Sequence, residues 1–533
     1  MIAISCSISS SGPGISLIFK MNYGIKHLNT VYMKKLTFIL NCIVLSGFLS
    51  GNIMAQGNAV IKIDFDRKAG TVDPNIYGAF VEPIRNVVYG SIYDPASPFA
   101  DENGFRTDFI QLVRELKIPV VRWPGGNYVS GYNWEDGIGP KDQRPARLDL
   151  AWHQVETNHM GTDEYVQLCK LLGAENFICI NGGTGTLDQA RHWVEYCNIE
   201  KGTYYSDLRR KYGNEAPFKV KYWALGNEID GPWQMGQKSA EDYVKFALEA
   251  AKLMQLVDKE IKLIASGASY YRPDNGWIDW NDYVLTHMTG NIDYLSVHRY
   301  ATEALGNDRS FSGMMCLGLD LDQKIEAVEA LILKAMIRTG SKRPVYISFD
   351  EWAAGWENNI TVSLMVAQHL NSFIRHADIV KMANMTMLSN LAGFSPEGAF
   401  RNATFKAFWL YTNNCYGTSL DVSTSCDKYS NEIFNDIPYL DVTAVHNNEA
   451  GNLVINVVNR HETKAIGTDI ILQTGEFTGN ATVNNLNGKI TDPGNPRAEE
   501  PVNTTSSDIK FRGNTISYSF PAHSFTQIIV PLR

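Results

Sequence analysis

Short apolar runs alternate with longer amphipathic stretches along the chain from about residue 75 to residue 414. This alternation is typical of βα units, in which each buried parallel strand is followed by a helix that covers it. Eight such runs are present, which is the number of strands in a closed (β/α)8 or TIM barrel. The predicted strands are 76–82, 119–122, 176–181, 220–228, 261–266, 292–300, 344–351 and 379–387.

A different pattern begins near residue 415, where the helical periodicity stops. Segments such as 452–458 and 525–530 alternate apolar and polar residues between Gly, Asn and Pro. Such segments are typical of an antiparallel β-sandwich. Residues 59–65 alternate in the same way. The sequence therefore predicts an α/β protein with a TIM barrel at 76–414, a C-terminal antiparallel β-sandwich domain at 415–533, and a strand within 56–75 that joins the sandwich.

The N-terminus has the pattern of a secretion signal. Met33 is followed by two lysines, an apolar run to residue 49 and the small residue Ala55. We expect translation to start at Met33 and residues 33–55 to be a signal peptide, within a leader that spans residues 1–55. Whether residues 1–32 are translated is a question that the sequence leaves open. Cleavage near Ala55 would export the protein to the periplasm or beyond. The apolar run is short and interrupted for a membrane anchor, so stable membrane insertion is not expected.

Composition narrows the possible partners. The chain has 48 Lys and Arg against 57 Asp and Glu, a net charge of -9, so a nucleic-acid partner is not expected. The cysteines lack the spacing of a metal site, and no metal is predicted. Cys415 and Cys426 could pair in an oxidising compartment, a question that the sequence leaves open. The 11 Trp and 25 Tyr suit sugar stacking and equally suit a large core.

Two glutamates end predicted strands at the face where TIM barrels place their active sites. Glu228 ends the fourth strand and Glu351 ends the seventh. Retaining glycoside hydrolysis needs two carboxyl groups about 5–5.5 Å apart, one as nucleophile and one as acid/base. Strand alternation turns Asp350 away from the side of Phe349 and Glu351. We therefore predict Glu351 as the nucleophile, Asp350 as a weaker candidate and Glu228 as the acid/base, against the alternative of a merely solvated Glu228.

Other side chains at the same predicted face suit a sugar-binding site. Arg122 and Tyr300 are predicted to hydrogen-bond the nucleophile. For Glu82 the alternative is a structural ion pair, and for His298 it is a satisfied core histidine. The predicted substrate-binding residues are Glu82, Arg122, Asn127, Asn227, Trp233, His298, Tyr300 and Trp352.

These segments resemble glycoside hydrolase family 51, the α-L-arabinofuranosidases of clan A. The resemblance is carried by Gly-Asn-Glu-Ile-Asp-Gly-Pro-Trp at 226–233, Ile-Tyr-Gly-Ala-Phe-Val-Glu at 76–82, and 122–140. It implies a barrel with a C-terminal sandwich, a retaining mechanism, no cofactor and often a homo-oligomer. It also implies exo-release of terminal α-L-arabinofuranosyl groups from plant arabinan or arabinoxylan, as polysaccharide or oligosaccharide.

The sequence also departs from the family pattern. Residues 83–86 are Pro-Ile-Arg-Asn where the family has His-Leu-Gly-Arg, and Met387 stands where the family offers a Gln. The second indole of the nucleophile segment, Trp356, is displaced by one residue. Another clan A activity, such as a β-xylosidase or an endo-β-1,4-glucanase, therefore stays open. A non-catalytic glycan-binding protein is a further alternative, although binding requires neither a nucleophile nor an acid.

Overall fold

The computed structural model describes residues 5–9, 16–20, 59–272, 275–301, 308, 310–477, 479–490, 502–511 and 513–532. The chain divides into two compact units, Met1–Gly57 and Asn58–Arg533. The described part of the first unit is an antiparallel pair of strands, Ser5–Ser9 and Ser16–Lys20. The segment 33–55, predicted as a signal peptide, lies outside the described residues.

Eight parallel strands in the described part of the second unit close into a barrel, which confirms the predicted TIM barrel. Each strand pairs with its neighbour in the sequence, and the last pairs with the first. The strands are β1 Gly78–Phe80, β2 Val120–Trp123, β3 Glu175–Cys179, β4 Tyr222–Ala224, β5 Lys262–Ala265, β6 Tyr294–Tyr300, β7 Tyr346–Ala353 and β8 Val380–Thr386.

A helix follows each barrel strand. These helices are α1 Thr107–Arg114, α2 Thr162–Leu172, α3 Leu187–Asn198, α4 Ala240–Val257, α5 Trp277–Met288, α6 Leu317–Thr339, α7 Ile360–Arg375 and α8 Ala403–Asn414. Helix α4 begins with a serine cap, in which the hydroxyl of Ser239 accepts a hydrogen bond from the backbone N–H of Asp242 at 3.1 Å.

Shorter elements occupy the loops. The additional helical turns are Pro74–Tyr77, Asn127–Gly131, Trp134–Gly137, Lys141–Gln143, Tyr204–Lys211, Phe311–Met314 and Leu388–Leu391. Short antiparallel pairs join Arg147–Asp149 to Gln154–Glu156, Gly393–Ser395 to Gly398–Phe400, and Lys428–Tyr429 to Ile437–Pro438. The first of these pairs follows β2 and therefore lies in a loop at the C-terminal face of the barrel.

The barrel interior is a packed core. Val120, Phe177, Tyr222, Ile264 and Met382 come from five different strands and bury their side chains in one cluster. Such a core leaves polar groups to collect at the strand ends, where loops rather than strands surround them.

The C-terminal domain is built on nine strands, eight of them from the end of the chain. Their hydrogen-bonded order is Val502–Lys510, Asn480–Gly488, Ser524–Pro531, Asn452–Asn459, Leu440–Asn447, Gly417–Ser425, Ala59–Val72, Ile466–Leu472 and Thr515–Phe520. The early strand Ala59–Val72 lies inside this sheet, antiparallel to one neighbour and parallel to the other. The predicted antiparallel domain that takes in an N-terminal strand is confirmed.

The two faces of this sheet bury different residues. Along the strand Asn452–Asn459, Leu453 and Ile455 enter the core of the sheet domain, whereas Val454 and Val458 join the barrel core. Barrel and sheet therefore share an apolar interface. Barrel and sheet belong to one compact unit, Asn58–Arg533. The predicted domain boundaries at residues 56, 76 and 415 therefore stay a proposal.

Two further sequence questions have structural answers. Cys415 and Cys426 are both free thiols, and Cys415 is buried. Within the described ranges, no helix is long and apolar enough to span a membrane.

Candidate active site

A cavity of about 240 Å³ opens at the C-terminal ends of the barrel strands. This volume lies below the range of pockets for drug-sized ligands and suits a single small sugar. The lining residues are Glu82, Gly126, Asn127, Trp152, Glu228, Trp233, Tyr270, Tyr300, Glu351 and Met387. Six of the eight predicted substrate-binding residues line this cavity or contact one of its two glutamates, Glu228 and Glu351.

Two glutamates from distant parts of the chain meet at this cavity. Glu351 lies on β7, and Glu228 lies in the turn after β4, where its backbone φ is 45°. A carboxylate oxygen of each and one imidazole nitrogen of His298 all lie within 4.8 Å of one another. This separation is in the range of a retaining carboxylate pair rather than the wider range of an inverting one.

The carboxylate of Glu351 accepts one hydrogen bond on each oxygen. The guanidinium of Arg122 donates to Oε1 at 2.7 Å, and the hydroxyl of Tyr300 donates to Oε2 at 2.7 Å. Arg122 is completely buried, and its guanidinium lies 4.9 Å from the centre of the Phe80 ring. Both donors stabilise the ionised carboxylate and fix its orientation.

Glu228 has a different environment. Burial raises the pKa of Glu228, and the negative charge of Glu351 acts in the same direction. Two hydrogen bonds oppose this effect. The imidazole Nδ1 of His298 lies 3.0 Å from Oε1, and the indole N–H of Trp233 donates to Oε2 at 3.0 Å. A carboxyl group with a raised pKa and two donors can be protonated in one step and ionised in the next.

His298 lies among three carboxylates. Its Nδ1 is 3.0 Å from Glu228 and 3.7 Å from Glu351, and its Nε2 is 3.6 Å from Asp350. Burial lowers the pKa of His298, but the three carboxylates outweigh burial and raise that pKa well above its usual value. The three carboxylates therefore favour the protonated form of the ring, which suits this group to proton chemistry.

Strand alternation at the end of β7 was predicted wrongly. Phe349 packs against Phe373 of α7 at a ring distance of 4.9 Å, on the outer side of the barrel. Asp350 and Glu351 both face inward, where both contact Arg122. The pairing register with β6 and β8 shifts at this point, which marks a β-bulge that turns two consecutive side chains to one side.

Trp352 is not in the cavity, contrary to its predicted substrate contact. Its indole is fully buried and stacks on His369 at 5.1 Å, with Phe373 packed against its edge. Because Trp352 directly follows the inward-facing Glu351, its side chain points to the opposite face of the strand, toward α7 and α8. It supports the strand from behind.

Glu82 lies at the cavity without an ion-pair partner among the described residues. One of its oxygens accepts the backbone N–H of Tyr128 at 2.9 Å and the indole N–H of Trp152 at 2.8 Å. Burial raises the pKa of Glu82 to about 8, with the charge of Glu351 as the second cause. A β-carbon at Gly126 would lie 2.5 Å from Glu82 Oε2, so this glycine makes room for Glu82 as well as for a ligand.

The two predicted asparagines are both held by neighbouring side chains. Asn227 accepts a hydrogen bond from Arg122 at 2.7 Å, and its buried amide nitrogen has no partner in the described part of the chain. Asn127 accepts a hydrogen bond from Gln234 at 2.7 Å. Asn227 is not among the residues that line the cavity, and its contact with the site is the hydrogen bond from Arg122.

Sequence reasoning missed three residues of the site. Trp152 and Tyr270 line the cavity, and Gln234 orients Asn127. Tyr270 packs against Trp233 at a ring distance of 4.8 Å, which leaves Trp233 40% exposed at the rim. Nothing in the sequence around Trp152 indicates which way the side chain of this loop residue points.

Comparison with curated proteins finds close relatives. The chain is 39% identical over 444 residues to an intracellular exo-α-(1→5)-L-arabinofuranosidase from Halalkalibacterium halodurans, covering 78% of this chain and 88% of that one. It is 37% identical over 486 residues to intracellular exo-α-(1→5)-L-arabinofuranosidase 1 from Bacillus subtilis, covering 86% and 96%.

The names of these relatives contradict the predicted export. Both are named as intracellular enzymes, and both match over most of this chain. The prediction rested on two lysines followed by an apolar run, a composition that arises in segments other than secretion signals. That segment, 33–55, lies outside the residues that the structure describes.

Family models and solved structures agree with these relatives. The α-L-arabinofuranosidase 1 domain matches residues 112–303, and the α-L-arabinofuranosidase C-terminal domain matches residues 350–524. The GH51 α-L-arabinofuranosidase of Thermotoga petrophila RKU-1 superposes with a TM-score of 0.77 at 33% identity, covering 89% of this chain and 100% of that one. The chain therefore belongs to the α-L-arabinofuranosidases of glycoside hydrolase family 51.

Proposed function

We propose that this protein is a retaining exo-glycosidase that releases terminal α-L-arabinofuranosyl groups from arabinose-containing glycans. The observation that carries the proposal is the pair of buried glutamates, Glu228 and Glu351. One carboxylate oxygen of each lies within 4.8 Å of the other, and the two have different hydrogen-bond donors. The curated relatives with the same scaffold are named as exo-acting arabinofuranosidases.

In the first step, Glu351 attacks the anomeric carbon while Glu228 protonates the departing oxygen. The bond between the anomeric carbon and that oxygen breaks, and an ester forms between the sugar and Glu351. Arg122 and Tyr300 hold the attacking carboxylate in place. The raised pKa of Glu228 supports its role as the proton donor.

In the second step, a water molecule hydrolyses the ester. Glu228, now ionised, removes a proton from that water, whose oxygen attacks the anomeric carbon and releases Glu351. The hydrogen bonds from His298 and from the indole N–H of Trp233 stabilise the ionised form of Glu228. Two inversions at one carbon give a product with the anomeric configuration of the substrate.

The shape of the cavity supports exo-cleavage. Its volume is about 240 Å³, and the aromatic residues Trp152, Trp233 and Tyr270 form part of its wall. An endo-glucanase needs a cleft through which a polymer passes, and a β-xylosidase needs a site shaped for a pyranose ring. Kinetics on nitrophenyl α-L-arabinofuranoside and nitrophenyl β-D-xyloside would separate these activities, with the arabinofuranoside expected to be the better substrate.

Single substitutions of the two glutamates test the assigned roles. Glu351→Ala should lower kcat/KM by about 10⁴-fold or more on every substrate, because the nucleophile is lost. Glu228→Ala should cost about 10²–10⁴-fold on natural linkages and much less on aryl arabinofuranosides whose leaving groups need no proton. An equal loss on both substrate types in Glu228→Ala would contradict the assignment of Glu228 as the acid. Reducing-sugar release by Glu351→Ala at the native rate would contradict the assignment of Glu351 as the nucleophile.

A further inference from the structure

Gln234 is a buried polar residue that the reaction described above does not use. It follows Trp233 in the loop after β4 and is 5% exposed. Gln234 is not among the residues that line the catalytic cavity. Burying an amide group away from water costs free energy unless a hydrogen-bond partner compensates for the lost hydration. The partner of Gln234 therefore indicates why a glutamine lies at this position.

That partner is Asn127, which lies in the loop after β2 and does line the cavity. The amide nitrogen Nε2 of Gln234 donates a hydrogen bond to the amide oxygen Oδ1 of Asn127 at 2.7 Å. The amide oxygen of Gln234 is buried and has no partner in the described part of the chain. Among the described residues, the side chain of Gln234 therefore makes its one hydrogen bond to Asn127.

This hydrogen bond decides which end of the Asn127 amide remains for a ligand. An asparagine side chain has an acceptor oxygen at one end of its planar amide and a donor nitrogen at the other. Gln234 occupies the oxygen, so the N–H donors of Asn127 are left for the cavity. The reverse arrangement, with Asn127 donating to Gln234, would present an acceptor to the cavity instead. The two arrangements therefore select different partner atoms on a bound sugar.

Other donors of the cavity wall are already committed to carboxylates of the site. They are the indole N–H groups of Trp152 and Trp233 and the hydroxyl group of Tyr300. A sugar presents oxygen lone pairs as well as O–H groups, so it is oriented best by a wall that offers both acceptors and donors. The carboxylates supply acceptors, and the amide nitrogen of Asn127 supplies a donor.

We propose that Gln234 is a positioning residue that holds Asn127 as a hydrogen-bond donor to an oxygen atom of the terminal sugar unit. The inference rests on the proposed function, since it takes an arabinofuranosyl unit as the occupant of the cavity. Gln234 acts through Asn127 and does not touch the sugar. Without Gln234 the Asn127 amide is free to turn, and ordering it when the sugar binds costs conformational entropy.

A double-mutant cycle tests whether Gln234 acts through Asn127. Gln234→Met keeps the length of the side chain and removes the donor, and kcat/KM is measured on nitrophenyl α-L-arabinofuranoside. We expect this variant to lose about tenfold in kcat/KM, the effect of one lost hydrogen bond. In the Asn127→Ala background the same substitution should cost less than about twofold, because the group that Gln234 positions is absent. Equal losses in the two backgrounds, or no loss in either, would overturn the proposal.

The pH profile and a matched control separate this role from a general disturbance of the loop. Trp233, the neighbour of Gln234, donates to Glu228, so a disturbed loop would move the basic limb of the kcat/KM profile. We expect Gln234→Met to leave that limb in place, and a moved limb would overturn the proposal. Gln237→Met is the control, because Gln237 is exposed in the same loop and donates to the backbone oxygen of Asp230. Its kcat/KM should equal the native value.

Gln234→Glu provides a second test that holds even where Gln234→Met fails to fold. The protonated form of this side chain can donate to Asn127 as the native amide does, whereas the ionised form can only accept. The kcat/KM of Gln234→Glu relative to native should therefore fall at least about threefold as pH rises. The added charge alone acts in the opposite sense, because it raises the pKa of Glu228 and preserves activity at high pH. A constant ratio from about pH 5 to about pH 9 would overturn the proposal. Native enzyme without activity on this substrate would overturn the proposed function and, with it, this inference.

Discussion

Single buried side chains set the proton affinities of the catalytic site. Burial raises the pKa of Glu228. Asp350 is equally buried, but the guanidinium of Arg122, followed by His298 and Ser296, outweighs burial and lowers the pKa of Asp350. Two carboxyl groups at the ends of β4 and β7 therefore have pKa values shifted in opposite directions, because they contact different partners. This difference supports the proposal that Glu228 is the acid and that Asp350 serves as a counter-charge to Arg122.

Asp350→Asn tests that counter-charge. Its loss makes the potential around Arg122 and His298 more positive, so the coupled Glu228 and His298 pair should release its proton at lower pH. Because the first step requires protonated Glu228, the basic limb of the kcat/KM profile should move to lower pH. We also expect kcat/KM at its optimum to fall by about 10²-fold, as for other lost buried charge partners.

The control for this variant is Asp441→Asn, which removes a buried aspartate paired with Arg375 far from the cavity. A basic limb that moves to higher pH in Asp350→Asn, or that moves equally in Asp441→Asn, would contradict the role given to Asp350.

At the scale of elements, periodicity predicts all eight barrel strands but does not predict the bulge in β7. Strand alternation would separate Asp350 from Glu351, whereas the bulge brings both to Arg122. A bulge depends on pairing with β6 and β8, which are distant in the sequence, so local pattern does not contain it. The same limit explains why Trp152 and Tyr270 were missed, since loop side chains are aimed by tertiary contacts.

Trp352→Phe tests the supporting role of β7. The buried indole packs on His369 and Phe373, so the smaller ring should leave a void and lower the free energy of unfolding by about 1–3 kcal/mol. Since Trp352 does not reach the cavity, KM for nitrophenyl α-L-arabinofuranoside should change less than twofold. Chemical denaturation and steady-state kinetics measure the two quantities. A large rise in KM without loss of stability would restore Trp352 to the substrate site.

Trp233→Phe provides the opposite case. Trp233 is 40% exposed and donates its indole N–H to Glu228, so its loss should affect stability little. Without that donor the pKa of Glu228 should rise, and the basic limb of the pH profile should move to higher pH.

At the scale of the whole molecule, the barrel and the sheet domain are joined by buried contacts. Tyr411 of α8 stacks on Phe525 of the sheet at 5.0 Å. Asp441 of the sheet pairs with Arg375 of α7 at 2.6 Å and accepts from Asn371 at 3.0 Å. Helix α7 directly follows the strand that carries Glu351. The sheet therefore supports the helix behind the catalytic strand.

This arrangement predicts cooperative unfolding. Asp441→Asn should lower the free energy of unfolding by about 1–3 kcal/mol, because it removes the buried carboxylate beside Arg460 and leaves Arg375 paired with Asp322 alone. Calorimetry should show one transition for barrel and sheet together, shifted to lower temperature. Two separated transitions, with only one of them shifted, would show that the domains unfold independently.

The central claim is that Glu351 forms a covalent bond to the sugar across the cavity from Glu228. The most direct measurement is to trap that intermediate with a 2-fluoro-arabinofuranosyl compound bearing an activated leaving group, followed by mass spectrometry of the digested protein. The account predicts one added glycosyl group per chain, attached to Glu351. A label on Asp350, or on any other carboxylate, would contradict it.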